Sequence, residues 1–350
     1  MSPPQRRGGR PLPDESQRHH GPRPAADARG RRPALRARVR RVSGRNLRYI
    51  RTPTSGTCGL LFALRKHATV TDATLHHISV YPVKGLDAVG LDRVGIAPGG
   101  GLADDRVYGM YDDEGHINGR RTAAIHAIEA SFDRDTGAVQ LSAPGRPART
   151  FDVEDDRAAL ESWLGEHLDL DVTLRGGGGG GHSDRAIFGD GSGTGPTIVG
   201  RATLREIASW YDGIEPAEMR RRLRPNLVVE GVEAFWEERL LDSFERAVYA
   251  EEPDDDTGEF PRVRIGDVVL EGVEPIPRCA VPTHDPNTGE EYDGFRETFI
   301  EQRGETMPPW SGEETIAGNL YTATVGMRIP EAERDAELAV GDSVELLDGA

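Results

Sequence analysis

A run of six glycines is the feature that most constrains how this chain can fold. It occupies positions 176–181, and a further glycine-rich stretch follows it up to position 195. Glycine has no Cβ and loses the most conformational freedom on ordering, so such a stretch behaves as a flexible linker. A phosphate-binding loop is the alternative, but the glycine spacing fits neither the P-loop nor the dinucleotide fingerprint. We therefore predict a linker at 176–195 between two folded domains, residues 71–175 and 196–350.

Both predicted domains are rich in short β-strands. Short apolar segments alternate with turns rich in Gly and Asp, a spacing typical of small barrels or sandwiches. Apolar residues at helical spacing predict one helix at 155–168 and another at 202–211. The predicted fold class is therefore mainly β with some helices (α+β). The predicted strands include 78–83, 94–96, 107–111, 138–141, 227–229, 263–270, 319–325 and 340–346.

Residues 1–70 differ from the rest of the chain in composition. They carry 17 Lys+Arg against 3 Asp+Glu and are rich in Arg, Pro and Gly. Their few apolar side chains bury too little surface to offset the entropy of folding, which predicts a disordered basic extension. A nucleic-acid-binding arm is the sharper alternative. A third alternative is that the stretch is not translated, although no methionine lies between Met1 and Met110.

The remainder of the chain is strongly acidic. The whole sequence has 43 Lys+Arg and 59 Asp+Glu, so without the first 70 residues it has 26 basic and 56 acidic groups, a net charge of −30. Such a surface repels nucleic acid and anionic membranes, and we expect neither as a partner. The sequence shows no long uncharged apolar run and no secretory signal. Because its two cysteines lie far apart, we expect no disulfide framework and a cytoplasmic location.

The chemistry of the chain is concentrated around Cys279. This thiol lies in a segment that contains Pro275, Pro277 and Pro282 and that continues into a turn at 285–289. Prolines restrict the backbone, so the segment predicts a stiffly shaped loop that can present sulfur to a metal or to an electrophile. A buried, inert thiol is the alternative, and for an isolated cysteine it is the more common one.

Cationic and amide side chains occur beside three of the predicted strands. Lys84 closes one strand, Arg106 opens another, and Arg224 and Asn226 directly precede a third. Since the chain has only two lysines, Lys84 is unusual in this sequence. Each residue also has a structural alternative: a solvated strand end for Lys84, a surface ion pair with the neighbouring aspartates for Arg106, an exposed helix face for Arg224 and a helix end for Asn226.

Four motifs then occur in a fixed order along the chain. They are Tyr-Pro-Val-Lys at 81–84, Arg-Pro-Asn at 224–226, Arg-Cys at 278–279 followed by Thr-x-Asp-Pro-x-Thr-Gly, and Val-Gly-Asp-Ser at 340–343. In this order they resemble the MOSC family, in particular its YcbX-like proteins and mitochondrial amidoxime-reducing components. The resemblance covers roughly residues 74–347. It implies an N-terminal β-barrel domain followed by a MOSC β-barrel domain.

The resemblance further implies a molybdenum–molybdopterin cofactor (Mo cofactor) at the junction of the two barrels. In the family the loop cysteine binds molybdenum, which makes Cys279 the expected metal ligand and catalytic residue. A thiolate is a soft ligand that must be held rigidly. The expected cofactor-binding residues are Lys84, Arg106 and Arg224 for the phosphate, Asn226 for the pterin ring, and Arg278 beside the metal ligand.

The function that this implies is an oxidoreductase that reduces N-hydroxylated or N-oxide substrates. No ferredoxin-like segment follows Leu347, so we expect a separate ferredoxin- or cytochrome-like electron donor. The alternatives are a sulfur carrier or sulfurtransferase that uses a Cys279 persulfide, and a non-enzymatic molybdopterin carrier. Pyridoxal phosphate on Lys84 is a further alternative, but no Asp or Arg is placed in the sequence to support it.

The chain departs from the family pattern at two positions. A serine often follows the motif lysine in the family, and here the residue is Gly85. A small hydroxyl residue can lie two positions before the cysteine, and here it is Pro277. Both changes remove a hydrogen-bonding group beside the expected cofactor, which bears more on substrate chemistry than on cofactor binding.

Overall fold

The computed structural model describes residues 72–176, 195–241, 260–312, 315–316 and 318–347. The predicted basic extension and nearly all of the predicted linker lie outside these ranges, as does Cys58. The predicted domain limits therefore stay a prediction. Within the described ranges, every helix is too short or too polar to cross a membrane.

Strands dominate the described part of the chain. It contains β1 (Thr74–Val80), β2 (Val89–Leu91), β3 (Arg93–Gly95), β4 (Tyr108–Asp112), β5 (Gly115–His116), β6 (Glu129–Asp133), β7 (Ala138–Ala143), β8 (Arg146–Asp152), β9 (Thr173–Gly176), β10 (Thr197–Gly200), β11 (Leu227–Glu230), β12 (Arg262–Ile265), β13 (Val268–Pro277), β14 (Thr322–Arg328), β15 (Glu337–Ala339) and β16 (Val344–Leu347). The α-helices there are α1 (Arg157–Leu168), α2 (Arg201–Ser209), α3 (Pro216–Leu223) and α4 (Phe295–Glu305), and short 3-10 helices lie at Ala123–Ala127, Trp236–Leu240, Val281–Thr283 and Glu331–Glu333. The predicted fold class, mainly β with some helices, is confirmed.

The main sheet joins strands from both halves of the chain. Its eight strands follow the order β16-β12-β13-β14-β10-β11-β1-β2. β10 and β11 run parallel, and the other neighbours in this sheet are antiparallel. β1 pairs with β11, which places Thr74 opposite Glu230 and Ile78 opposite Leu227. The first strands of the N-terminal half are therefore part of the sheet of the C-terminal half.

Three apolar cores support this arrangement. One lies along the main sheet and takes side chains from both halves, such as Ile78 and Val229. The second packs Trp163 and Leu160 of α1 against strands of the N-terminal half. The third packs α2, α3 and α4 together. β1 pairs with β11, the strand that follows α3. The end of β1 therefore lies against the end of α3, and the candidate site is at this contact.

Both predicted helices are confirmed, whereas four predicted strands are placed differently. The strand predicted at 78–83 is β1, which ends at Val80, and the one predicted at 263–270 is two strands, β12 and β13, joined at Gly266 (φ 58). α1 and α2 begin or end within about two residues of the predicted limits. β14 begins three residues later than predicted, because the side chain of Asn319 accepts the N–H of Tyr321 (3.0 Å) and closes a turn. The predicted strand at 340–346 begins only at Val344, because Gly341 takes a left-handed conformation (φ 96).

A buried carboxyl group lies behind the sheet at Glu237. This residue is 1% exposed and accepts hydrogen bonds from the Gly200 N–H (3.1 Å) and the Thr203 hydroxyl (2.9 Å). Burial raises the pKa of Glu237 from its ordinary 4.5 to about 7. The folded protein therefore binds this proton more tightly than the unfolded chain does. The cost of ionising Glu237 is absent below pH 4.5, grows as the pH rises, and is complete above pH 7.

We predict that Glu237→Gln removes this pH dependence, since glutamine keeps an acceptor oxygen and cannot ionise. The quantity to compare is the free energy of unfolding of the variant minus that of the wild type. This difference should be up to about 3 kcal/mol larger at pH 8 than at pH 4.5. Urea unfolding at both pH values measures this difference. Glu301→Gln, at an exposed position of α4, is the matched control. Equal pH dependence in Glu237→Gln and wild type would contradict the assignment.

Candidate functional site

Cys279 lies on an exposed loop between β13 and the 3-10 helix that follows it. The N–H of the preceding Arg278 donates to the Tyr321 carbonyl (2.9 Å). On the other side, Thr283 donates to the Ala280 carbonyl from both its N–H (3.0 Å) and its hydroxyl (2.8 Å). These bonds fix the backbone before and after the thiol. The alternative of a buried, inert thiol is wrong, because the residue is exposed.

Arg278 directs its guanidinium into the protein and braces this loop. Nη1 donates to the Ala323 carbonyl (3.2 Å) and the Thr324 hydroxyl (3.2 Å), and Nη2 donates to the Leu223 carbonyl (2.9 Å). Thr324 has φ 71, a strained conformation for a β-branched residue. Burial lowers the pKa of Arg278. The Cys279 loop is therefore tied to β14 and to the end of α3, directly before Arg224.

The ring of Tyr81 contacts two guanidinium groups, a role that the motif analysis missed. The Cζ atoms of Arg224 and Arg106 lie 4.1 Å and 4.8 Å from the ring centroid. Tyr81 is 2% exposed, its hydroxyl donates to the Pro225 carbonyl (3.1 Å), and burial raises its pKa. An uncharged aromatic ring attracts cations through its quadrupole. In the sequence, the one indication of this role of Tyr81 is its position at the start of the Tyr-Pro-Val-Lys motif.

Arg106 is held in place by an acidic neighbour and an amide. It has a left-handed backbone conformation (φ 53), its guanidinium pairs with the Asp105 carboxylate, and Nη1 lies 3.4 Å from Asn226 Oδ1. The alternative of a surface pair with both aspartates is correct for Asp105 only, since Asp104 pairs with Arg134. The Arg106 side chain is 21% exposed, so this pair lies partly inside the protein.

Asn226 is a buried cross-link between elements. Its Nδ2 donates to the Ser79 carbonyl (3.0 Å). Its Oδ1 accepts from the Thr197 N–H (3.1 Å), the Thr197 hydroxyl (3.3 Å) and Arg106. The amide thus joins β1 to β10 and positions a guanidinium. In this structure its oxygen faces protein donors, and its pairing with a pterin ring stays a prediction.

Arg224 ends α3 and links the two halves of the chain. Its backbone is left-handed (φ 54), and Nη2 donates to the carbonyl of Leu86 in the N-terminal half (2.7 Å). Burial lowers the pKa of this guanidinium. The alternative of an exposed helix face is wrong, since the side chain packs over the ring of Tyr81.

Lys84 lies in the loop that Arg224 contacts. It is half-buried, and its N–H donates to the Tyr108 carbonyl (2.8 Å). The next residue, Gly85, has φ 99, and a Cβ there would lie 2.7 Å from Ile125 Cδ1. A serine at this position would therefore be strained, which gives a structural reason for the departure from the family pattern.

A pocket of about 310 Å³ lies beside these groups. Tyr81, Gly85 and Arg224 form part of its wall, and Val281 and His284 enter it from the segment just after Cys279. Cys279, Lys84 and Arg106 themselves do not line it. The structure thus places Arg106 and Arg224 against the ring of Tyr81, with Asn226 in contact with Arg106. Lys84 lies in the adjoining loop. The thiol lies on the loop that Arg278 ties to the end of α3.

The donor set at Cys279 limits which metal species can bind there. Within the described residues, no group of three or more His, Cys, Asp or Glu side chains is arranged to hold a metal ion. A metal at Cys279 would then have one protein thiolate, too few ligands for a bare ion. A metal that arrives inside an organic cofactor brings ligands of its own, so the site fits such a cofactor.

Two family models match the chain in series. The MOSC N-terminal beta barrel domain matches residues 72–173, and the MOSC domain matches residues 198–345. The chain is a MOSC-domain protein. Both domains and their order agree with the resemblance that the motifs carry. Among curated proteins, no match to this chain is found.

MOSC domains are associated with molybdenum-cofactor sulfurase-like and cofactor-binding proteins. The MOSC N-terminal match contains Lys84, Tyr81 and Arg106, and the MOSC match contains Arg224 and Cys279. Contacts between the two matched domains, such as Arg224 over Tyr81, therefore build the candidate site of this MOSC protein.

We predict that Asn226→Ala destabilises the fold by about 2–4 kcal/mol, because it leaves the buried Ser79 carbonyl and Thr197 N–H without their partner. Urea unfolding of the purified variant measures the loss. Asn287→Ala is the matched control, since Asn287 is exposed and its amide bonds only on the surface. An equal, small effect of both substitutions would show that the Asn226 amide does not join these strands.

Proposed function

We propose that this MOSC protein is a molybdenum-cofactor-dependent oxidoreductase that reduces N-hydroxylated or N-oxide substrates. The observation that carries the proposal is the exposed thiol of Cys279, on a loop that Arg278 ties to the end of α3, where the half-buried guanidinium groups of Arg224 and Arg106 lie over Tyr81. An exposed thiolate suits a soft metal, and fixed cations suit a phosphate-bearing cofactor. When bound, the cofactor would supply the oxygen-atom-transfer chemistry that cleavage of a substrate N–O bond needs.

The residues of the chain would bind and orient that cofactor. Cys279 would provide the protein ligand to the metal, and Arg278 would position it through the bonds to β14 and α3. Arg224 and Arg106 would bind the phosphate, with Lys84 as a third cation from the adjoining loop. Because Tyr81 and Asn226 already hold these guanidiniums, little entropy is lost when the anion binds.

Reduction of an N–O bond consumes two electrons and two protons and releases water. We propose that the electrons come from a separate ferredoxin- or cytochrome-like protein and that the enzyme works in the reducing cytoplasm, where its thiol is kept reduced.

For the protons, His284 is the candidate. Its Nδ1 bonds the Gly289 carbonyl (3.2 Å), which assigns the N–H to Nδ1 and makes Nε2 the atom that exchanges a proton in the pocket.

We predict that wild-type protein from a host that makes the cofactor contains about one molybdenum per chain. Cys279→Ala should lower that content at least tenfold, since it removes the protein ligand to the metal. Elemental analysis by mass spectrometry, together with fluorescence of the extracted pterin, measures both. Cys58→Ala, which changes the other cysteine of the chain, is the matched control. Wild-type protein without molybdenum would overturn the proposal.

The same exposed thiol supports a second function, in which Cys279 carries a persulfide as a sulfur carrier or sulfurtransferase. An accessible sulfur beside a cationic residue suits this chemistry as well. Intact-protein mass spectrometry of metal-free protein distinguishes the two: a mass increase of one sulfur that is absent in Cys279→Ala favours the persulfide. Bound pterin without reduction of any N-hydroxylated compound by an artificial electron donor would instead support a cofactor carrier.

A further inference from the structure

The pocket beside the Cys279 loop concentrates positive charge in a protein whose body is acidic. Arg220, Arg221 and Arg222, in the last turn of α3, line it together with Arg224. The one carboxylate among its lining residues is that of Asp87. In the sequence, an exposed helix face was the structural alternative for Arg224, and no sequence pattern indicated that these four arginines line one cavity.

The helix dipole accounts for only part of this arrangement. Cations at a helix C-terminus are favoured by the dipole, which explains arginines in the last turn of α3. It does not explain why all of them line one cavity. Arg220 donates to His77 Nε2 (2.9 Å) and the Ser79 hydroxyl (3.3 Å), both neutral groups. Among the described residues, no carboxylate lies within ion-pairing distance of Arg220 or Arg224.

Two histidines of the pocket, His77 and His126, add no positive charge near neutral pH. Burial lowers the pKa of His126 to about 4, and burial together with Arg220 lowers that of His77 to about 4. Arg221 lies 3.5 Å from Asp87 and Arg222 lies 2.7 Å from Glu218, so two of the four positive charges are offset, whereas those of Arg220 and Arg224 are not. The cavity therefore keeps an excess of positive charge that does not depend on the titration of these two histidines.

We propose that this pocket binds an acidic group, a carboxylate or a phosphate, of the substrate of this protein. That the ligand is a substrate rests on the function proposed above. That the pocket binds an acid rests on the residues of the pocket alone. Arg220 would be its main contact, because it lines the cavity without an ionic partner. Val281 and His284, two and five residues after Cys279, also line the pocket, so a ligand anchored there lies next to the thiol loop.

The test uses two probes of nearly equal size that differ in charge: N-hydroxybenzamidine with a ring carboxamide and the same compound with a ring carboxylate. Dissociation constants are measured by calorimetry at low ionic strength, and KM values with an artificial electron donor. We expect wild-type protein to bind the carboxylated probe about tenfold more tightly. Arg220→Gln should abolish that preference. Asp87→Asn should increase it, because it removes the opposing charge and leaves an acceptor for the Ala130 N–H.

The opposite signs of these two effects distinguish ligand binding from a general loss of structure. Arg93→Gln, which breaks an exposed pair with Glu337, is the matched control and should leave the preference at the wild-type value. Equal binding of the two probes by wild-type protein would overturn the inference. So would a change of the same sign in Arg220→Gln and Asp87→Asn.

Molybdenum and pterin content of the same samples separates this inference from the proposed function. If Arg220→Gln loses the cofactor while the probe preference is unchanged, the pocket holds the cofactor phosphate and the inference is wrong. If wild-type protein lacks the metal but prefers the carboxylated probe through Arg220, the acid site stands and the proposed reaction fails.

Discussion

The candidate site depends on the contact of two guanidinium groups with the ring of Tyr81. Arg106 and Arg224 repel each other, and each is partly removed from water. The aromatic face, the Asp105 carboxylate and the Leu86 carbonyl offset this cost. The two cations are therefore held together before any ligand arrives, and a bound anion would relieve the remaining repulsion.

This contact exists because the two halves of the chain share one sheet. β1 adds to β11, and that pairing puts Tyr81, just past the end of β1, against Pro225 at the end of α3. The buried amide of Asn226 fastens the same junction by reaching Ser79 and Thr197. The family models divide the chain at about 173–198, but the site belongs to neither part alone.

The sequence predicted the local structure better than it predicted the contacts between distant residues. The fold class, the helices at α1 and α2 and the stiff loop around Cys279 follow from local signals: residue spacing, prolines and turns. The roles of Tyr81 and Asn226, and the cavity lined by Arg220, come from contacts between residues more than a hundred positions apart. No local pattern encodes such contacts, so the sequence does not predict that four arginines line one cavity.

The central claim, that the thiolate of Cys279 binds molybdenum at this junction, is tested most directly by crystals of protein that contains the cofactor. Diffraction data collected on either side of the molybdenum absorption edge locate the metal by its anomalous signal. The account predicts a single peak bonded to Cys279 Sγ, with electron density for the phosphate at the guanidinium groups over Tyr81. A peak bound elsewhere, or an unmodified Cys279 with the metal at a distance, would contradict it.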